Sequence, residues 1–447
     1  MSKTSISFEG GAIFVPDSLV SISKQDMKNE INLDILFEAR DSDSKRYNVN
    51  WGKIIDDIEK CKSYLDWTVD PRKNFHLDST KLAFHVERVN AWLSGEKVAP
   101  ITIDMALTQK CGYACTYCYA GLQKNPASPA DWETYSNFLD DCVAIGHKDG
   151  EGVKAISLVS DGESTLNPFY YDFINKGREL GIDMASATNG HIMEKDKLYE
   201  LMKHLTYIRF NFSGGEPDAY AEIMGTTIEA FNTVVENIKT CVRIKRENNF
   251  PVTIGLQMVL LPQYADQIIP LALLGREIGV DYTIIKHCSD DENGRLGVDY
   301  SWYKTAEAIE LLHIAEALST DDYSVQAKWS KLATGRDRKY SKCFGTPLML
   351  QMSGTCLVAP CGSLFHPDYK EFHIGNYTKD RFKDIWESER YWQVMGKLGS
   401  DKFDPRYRCA TLCLQDKVNE VLFDLKENDI GLPDVCGMKK PNHLNFI

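Results

Sequence analysis

The residues of this chain best placed to do chemistry begin with Cys111, Cys115 and Cys118, three thiols at CxxxCxxC spacing just after an apolar, strand-like run at 101–108. On a tight loop all three can face one point. Thiolates bind iron–sulfur clusters, and a [4Fe–4S] cluster held wholly by protein takes four of them. A set of three therefore leaves one iron open to a non-protein ligand. Half of a zinc site, or disulfide partners in a secreted chain, are the blander alternatives. A zinc ribbon needs a second CxxC-type pair at short range, and none follows Cys118 within 100 residues. Farther on, Cys343, Cys356, Cys361, Cys409, Cys413 and Cys436 crowd one stretch and mark a second metal centre.

The triad, with Tyr117 as the aromatic beside its last cysteine, resembles the signature of the radical S-adenosylmethionine (SAM) enzymes. That resemblance implies that the open iron chelates the amino and carboxylate groups of SAM. One-electron reduction by a flavodoxin- or ferredoxin-type donor then releases a 5′-deoxyadenosyl radical that abstracts hydrogen from substrate. Ser160-Asp161-Gly162-Glu163-Ser164 resembles the family's Gly-Gly-Glu-Pro motif, with Asp161 in place of the first Gly and Ser164 in place of the Pro. The resemblance assigns Gly162 and Glu163 to the SAM amino group, where a carboxylate serves as a charge-assisted acceptor; a solvated loop with a helix cap is the alternative. Thr188 and Asn189 belong to a polar turn that the family often shows at the barrel mouth. Arg209, Asn211 and Ser213 alternate onto one face of a strand. Polar groups buried there need partners, and the resemblance assigns Asn211 and Ser213 to SAM. Gln257 and Lys286, on later strands, are candidates to touch cofactor or substrate, or else satisfied core polar groups. Cys288 is a third catalytic candidate by its place at a strand end, whereas Cys61, Cys142 and Cys241 read as small apolar residues.

The elements that must position these residues form an alternation. Strand-like runs at 101–108, 153–160, 182–189, 207–213, 252–260 and 281–288 interleave with helix-like segments at 131–146, 168–180, 194–204, 228–247 and 264–278. Such a pattern predicts an α/β fold with a parallel sheet and right-handed crossovers. Periodicity leaves open a doubly wound sheet or a partial barrel; the family resemblance implies the partial (β/α)6 barrel. Either architecture puts function at the C-terminal ends of the strands, where the residues named above fall.

Residues 1–97 read as an N-terminal α+β extension, with strand-like pieces at 5–15 and 34–49 and helix-like pieces at 52–65 and 82–93. The extension faintly resembles the recognition domain of peptide-modifying radical SAM enzymes; a cap on the barrel is the alternative. The barrel is expected over 98–290, and 291–340 reads as a charged linker around a helix at 302–318. Within 341–447, a hairpin-like run at 348–360, a helix through Trp386 and the Cys409/Cys413 pair resemble a SPASM/twitch auxiliary domain. A CxxC pair of the full SPASM set is absent, so the shorter twitch form is expected. That form implies one auxiliary [4Fe–4S] cluster on Cys343, Cys361, Cys409 and Cys413, with zinc on the same thiols as the alternative. Cys356 and Cys436 either complete a second cluster or are spare.

The bulk numbers narrow the class. An apolar fraction of 43% with 26% charged residues suits a globular chain with a large core. A net charge of −13 argues against an electrostatic grip on nucleic acid. The absence of a long apolar run or signal-like N-terminus gives the expectation of a cytoplasmic chain with no membrane span, and its 13 cysteines then serve metal ligation rather than disulfides. The expected activity is radical SAM oxidation, epimerisation or rearrangement of a small polar metabolite such as a sugar, cyclitol or nucleotide derivative. A peptide-modifying maturase and a non-catalytic iron–sulfur protein are the alternatives. No cobalamin-binding pattern is visible.

Overall fold

The computed structural model describes residues 80–447 apart from 123–124, 127–129, 147–150, 292, 336, 410 and 412. The expected pieces at 5–15, 34–49 and 52–65, and Cys61, lie outside the described residues. After α1 (Val86–Leu93), strand and helix alternate as β1 (Thr102–Met105), α2 (Trp132–Ala144), β2 (Ala155–Leu158), α3 (Tyr170–Glu179), β3 (Asp183–Thr188), α4 (Leu198–His204) and β4 (Leu205–Asn211). Two helices follow, α5 (Pro217–Met224) and α6 (Ile228–Asn248), then β5 (Thr253–Leu260), α7 (Ile268–Ile278) and β6 (Tyr282–His287). Local chemistry sets these ends. Asp131 and Thr227 cap α2 and α6 by accepting the N–H of Thr134 and Ala230, relieving donors that a helix start leaves orphaned. Asn249 ends α6 in the left-handed region, as C-terminal caps commonly do.

The alternation at 101–288 is present, with two additions. The first is α5, which the sequence reading passed over. Its cues are short but physical: Pro217 in the first turn and the left-handed Gly225 that stops the helix. The second lies within 291–340. Besides α8 (Ala306–Ala317), that segment holds β7 (Ser324–Ala327), parallel to β6, and α9 (Trp329–Thr334). Four residues carrying a glutamine give too little pattern for a strand to be seen in advance.

Farther along lie β8 (Met349–Met352), β9 (Leu357–Ala359), β10 (Gly375–Asn376), α10 (Phe382–Glu387), α11 (Glu389–Leu398), α12 (Pro405–Arg408) and α13 (Asp416–Glu427). The expected hairpin is β8–β9, and its first strand joins the main sheet by pairing parallel to β1, Thr102 opposite Met349. The sheet therefore runs β10-β9-β8-β1-β2-β3-β4-β5-β6-β7. Residues of β8 at one end and β7 at the other line the same cavity, so the sheet curls into an open barrel. Every residue of β5 is buried, as a parallel strand covered on both faces requires. The core is continuous with the C-terminal helices, since Phe138 of α2 meets Phe382 of α10 at 5.1 Å between ring centres. Among the described residues no helix is long and apolar enough to cross a membrane.

Candidate functional site

The cysteine loop begins where Ala106 to Thr108 leave the sheet after β1. It is held by close backbone contacts that only glycine permits. Gly162 (φ +83°) and Gly354 both press on the Thr108–Gln109 peptide: a Cβ would lie 2.0 Å from the Thr108 carbonyl oxygen at the first and 2.3 Å from the Thr108 carbonyl carbon at the second. Asp161 ties the three strands of chain together. Its Oδ2 accepts from Gln109 Nε2 (2.6 Å) and Ser353 Oγ (2.8 Å), and its Oδ1 accepts from the Gly354 N–H (2.8 Å). On its other side the loop rests on the end of α5, where the N–H groups of Thr116 and Ala114 donate to the carbonyls of Ile223 (2.9 Å) and Gly225 (3.3 Å).

Cys111, Cys115 and Cys118 all lie on the wall of one cavity of about 340 Å³. Asn189 Nδ2 approaches Cys111 Sγ at 3.9 Å. Burial, and then the neighbouring Cys118, push the Cys115 thiol up to about 12; burial raises Cys111 as well. Cys111 and Cys115 are therefore neutral thiols in the bare loop, and iron must displace their protons to bind. Three thiols on one wall, steered by a single amide and with no carboxylate in the set, fit a three-cysteine iron–sulfur cluster with one free iron. Among the described residues no three Cys, His, Asp or Glu side chains converge on one mononuclear ion position.

Tyr117, Gly162, Glu163, Asn189, Asn211, Gln257 and Lys286 line the same cavity. The Glu163 carboxylate is already engaged. Its Oε1 accepts from Thr165 N–H (3.2 Å), Thr165 Oγ1 (3.0 Å) and Thr188 Oγ1 (2.8 Å), while Oε2 takes the Asn189 N–H (2.7 Å). Glu163 thus holds the turn after β3 in place and keeps one acceptor site on Oε2. Burial raises its pKa, opposed by these donors. Gln257 Nε2 donates to Asn211 Oδ1 at 2.8 Å, orienting both on adjacent strands. Thr188, Ser213 and Cys288 stand behind the cavity wall. Ser213 Oγ accepts the Val259 N–H (3.1 Å), and Cys288 is fully buried with Sγ 3.6 Å from the Ser289 carbonyl oxygen.

The cavity also gathers groups that the sequence reading passed over. Asp104 of β1, Lys328 just past β7, Gln326 of β7 and Lys81 all line it, with Arg209, whose inward direction the alternation predicts. Burial raises the Asp104 carboxyl to about 7, against the pull of Arg209. Burial, with the nearby Lys331 and Arg209, lowers Lys328 to about 7. The floor, at the N-terminal ends of the strands, is sealed by the end of the described chain. The Asn445 carbonyl accepts from Thr102 Oγ1 (2.6 Å), Asn445 Nδ2 donates to Asp183 Oδ2 (2.7 Å), and His443 Nε2 meets Thr253 Oγ1 at 2.9 Å. Lys81 Nζ donates to the Phe446 carbonyl at 2.6 Å, and the Phe446 ring packs edge-on to Tyr207 at 5.0 Å. No local pattern advertises such a plug.

Cys343, Cys361, Cys409 and Cys413 lie near enough in the C-terminal region to act on one another electrostatically, though among the described residues no three of them converge on one metal position. Burial raises the thiol of Cys409 far above its usual value, and it further feels Cys413, Cys343 and Cys361; burial takes Cys361 up to about 12, with Cys413 adding to it. Lys331 and Arg338 lie close enough to Cys413 to act on it electrostatically, offsetting the charge that thiolates would bring. Cys356 stands elsewhere, buried at the β8–β9 turn with φ +64° beside Tyr377. Cys436 is exposed.

Residues 105–273 match the family model of the radical SAM superfamily. The chain is similar to the tungsten-containing aldehyde ferredoxin oxidoreductase cofactor-modifying protein of Pyrococcus furiosus, 22% identical over 305 residues covering 64% of this chain and 81% of that one. It is similar also to the AdoMet-dependent heme synthase of Methanosarcina barkeri, 21% identical over 339 residues covering 72% and 90%. In fold it resembles SuiB of Streptococcus suis, solved with its precursor peptide SuiA, at a TM-score of 0.53 and 13% identity over 74% of this chain and 75% of that one.

Proposed function

Because residues 105–273 match the radical SAM family model, we propose that this chain is a radical SAM enzyme that holds a [4Fe–4S] cluster on Cys111, Cys115 and Cys118 and acts on a small polar metabolite in the cavity below. When bound and reduced by a flavodoxin- or ferredoxin-type donor, the cluster and SAM supply a 5′-deoxyadenosyl radical for hydrogen abstraction. The chain's own residues do the rest. Asn189 steers Cys111, Glu163 fixes the turn that carries Asn189, and the Asp161 clamp sets where the loop leaves β1. Gly162 backbone, Tyr117, Asn211 and Gln257 are the walls against which SAM would lie, with Thr188 and Ser213 bracing them from behind. The sealed floor keeps water from a reactive intermediate. Cys343, Cys361, Cys409 and Cys413 hold one auxiliary [4Fe–4S] cluster that accepts an electron or anchors substrate, and Cys356 and Cys436 remain spare. Free thiols that serve as cluster ligands suit a reducing cytoplasm.

The observation that carries this proposal is that three thiols and a polar, floored cavity of about 340 Å³ share one wall. That volume lies at the low end of small-molecule sites and supports a metabolite over an extended peptide. The test is anaerobic reconstitution, followed by SAM and dithionite. Deoxyadenosine from wild type and none from Cys115→Ala is the expected result, with about eight irons per chain for two clusters of four. About four irons with product retained would remove the auxiliary cluster; a fully loaded enzyme making no deoxyadenosine under any substrate condition would overturn the assignment.

A further inference from the structure

Although the chain carries a net charge of −13, the cavity gathers three basic side chains on β4, β6 and the end of β7. Cys111, Gly162 and Asn189 sit after β1, β2 and β3, whereas Arg209 lies on β4, Lys286 on β6 and Lys328 just past β7. The last matched pair of β6 and β7 is Ile285 with Ala327, and Lys328 N–H donates to the Ile285 carbonyl at 2.7 Å. Lys286 and Lys328 are therefore next neighbours across the two strands. Both point to the side of Ile284 and Gln326, which is the cavity side. Like charges placed directly opposite on one sheet face repel, and neither ammonium has a hydrogen bond or ion pair among the described residues. Arg209 Nε is buried without a hydrogen-bond partner.

The carboxylates of the cavity do not cancel this wall. Glu163 is occupied by Thr165, Thr188 and Asn189. Among the described residues that leaves Asp104 as the remaining side-chain carboxylate of the lining, beside Arg209, Lys286 and Lys328. Lys331 and Arg338 also act on Cys413 and Asp416, and Lys331 adds its charge to those of Lys286 and Lys328. Unpaired charges removed from bulk water are costly unless an opposite charge joins them. A wall that keeps three cations together and satisfies none of them from within is built for an anion brought by a ligand.

We infer that the substrate is an anionic small molecule whose carboxylate or phosphate seats on Arg209, Lys286 and Lys328, so that the rest of it projects across the cavity toward the cysteine loop. This deepens the proposed function and rests on it for the word substrate; the anion site itself does not. The geometry gives the cations a positioning role: they fix one end of the molecule, and the distance across the barrel decides which C–H bond is presented.

The experiment is calorimetric titration of anaerobically reconstituted enzyme with inorganic phosphate, with succinate and with SAM, in wild type, Lys286→Gln, Lys328→Gln and Lys328→Arg. At least one of the two anions should bind saturably to wild type, at least about tenfold more weakly to either Gln variant, and with most of its affinity kept in Lys328→Arg. SAM affinity should move less than about twofold, because the residues assigned to SAM lie after β1 to β3 and on β4 and β5, whereas the two lysines lie on β6 and past β7. Binding of phosphate alone marks the substrate as a phosphate ester, and of succinate alone as an organic acid. No saturable binding of either anion, or equal binding to wild type and Gln variants, overturns the inference. So does a tenfold loss of SAM affinity with anion binding unchanged, which would give the cations to the cofactor. Deoxyadenosine measured on the same samples reports separately: its absence, with anion binding intact, defeats the proposed function and leaves the anion site standing.

Discussion

Replacing Gly162 by alanine tests the clamp on the cysteine loop. Two costs are superimposed. The first is conformational: at φ +83° a side chain sits in the left-handed region, about 1–2 kcal/mol. The second is steric, since the new Cβ would stand 2.0 Å from the Thr108 oxygen and 2.8 Å from Gln109 Cα. The Thr108 peptide has little room to retreat, because Gly354 presses on it as well. Overpacking of a tight contact adds about 1–3 kcal/mol. Gly181 provides the control, with φ +82° and nothing within 4 Å of the place a Cβ would take. Gly181→Ala should therefore show the first cost alone. The assay compares thermal unfolding and iron per chain after anaerobic reconstitution. Gly162→Ala should unfold at lower temperature than Gly181→Ala and bind less iron, because Cys111 follows the displaced peptide by two residues. Equal unfolding temperatures and equal iron in the two variants would refute the clamp.

Asp104, raised by burial to about 7, holds a proton in the folded state that the unfolded chain releases near 4. Its contribution to stability is complete below about pH 4 and is lost as pH rises to 7, at about 1.4 kcal/mol per pH unit. Asp104→Asn should accordingly gain stability relative to wild type, by about 2 kcal/mol between pH 5 and pH 7, in denaturant titrations at the two values; a difference independent of pH would show that Asp104 is ionised throughout. Phe446→Ala should cost about 3 kcal/mol, the low end for a buried phenylalanine because one side of the ring faces the cavity. An unchanged denaturation midpoint would mean that the floor is not sealed by this ring.

Local signals carried much of this protein. The cysteines at 111, 115 and 118 are read from spacing because a short loop brings its own residues together whatever surrounds it. The strand at 252–260 is read because burial on both faces demands an apolar run, and α6 because Thr227 and Asn249 cap it. Weak local signals failed where elements were short. β7 has four residues, and α5 is marked only by Pro217 and Gly225. The roles inside the site were not local at all. Glu163 was read as a ligand group by its motif, and its carboxylate also holds Thr188 and Asn189, whose arrival depends on β3 lying beside β2. The clamp needs residues 108, 161, 162 and 354 at once, and Lys286 becomes the neighbour of Lys328 only when β7 pairs with β6. The amino-acid sequence alone thus determined which metal chemistry the chain can support, since ligand type and short-range spacing decide that. The tertiary structure alone decided what the cavity holds, because the curl of the sheet brings distant charges within reach of one another, and the low dielectric there makes their pairing matter.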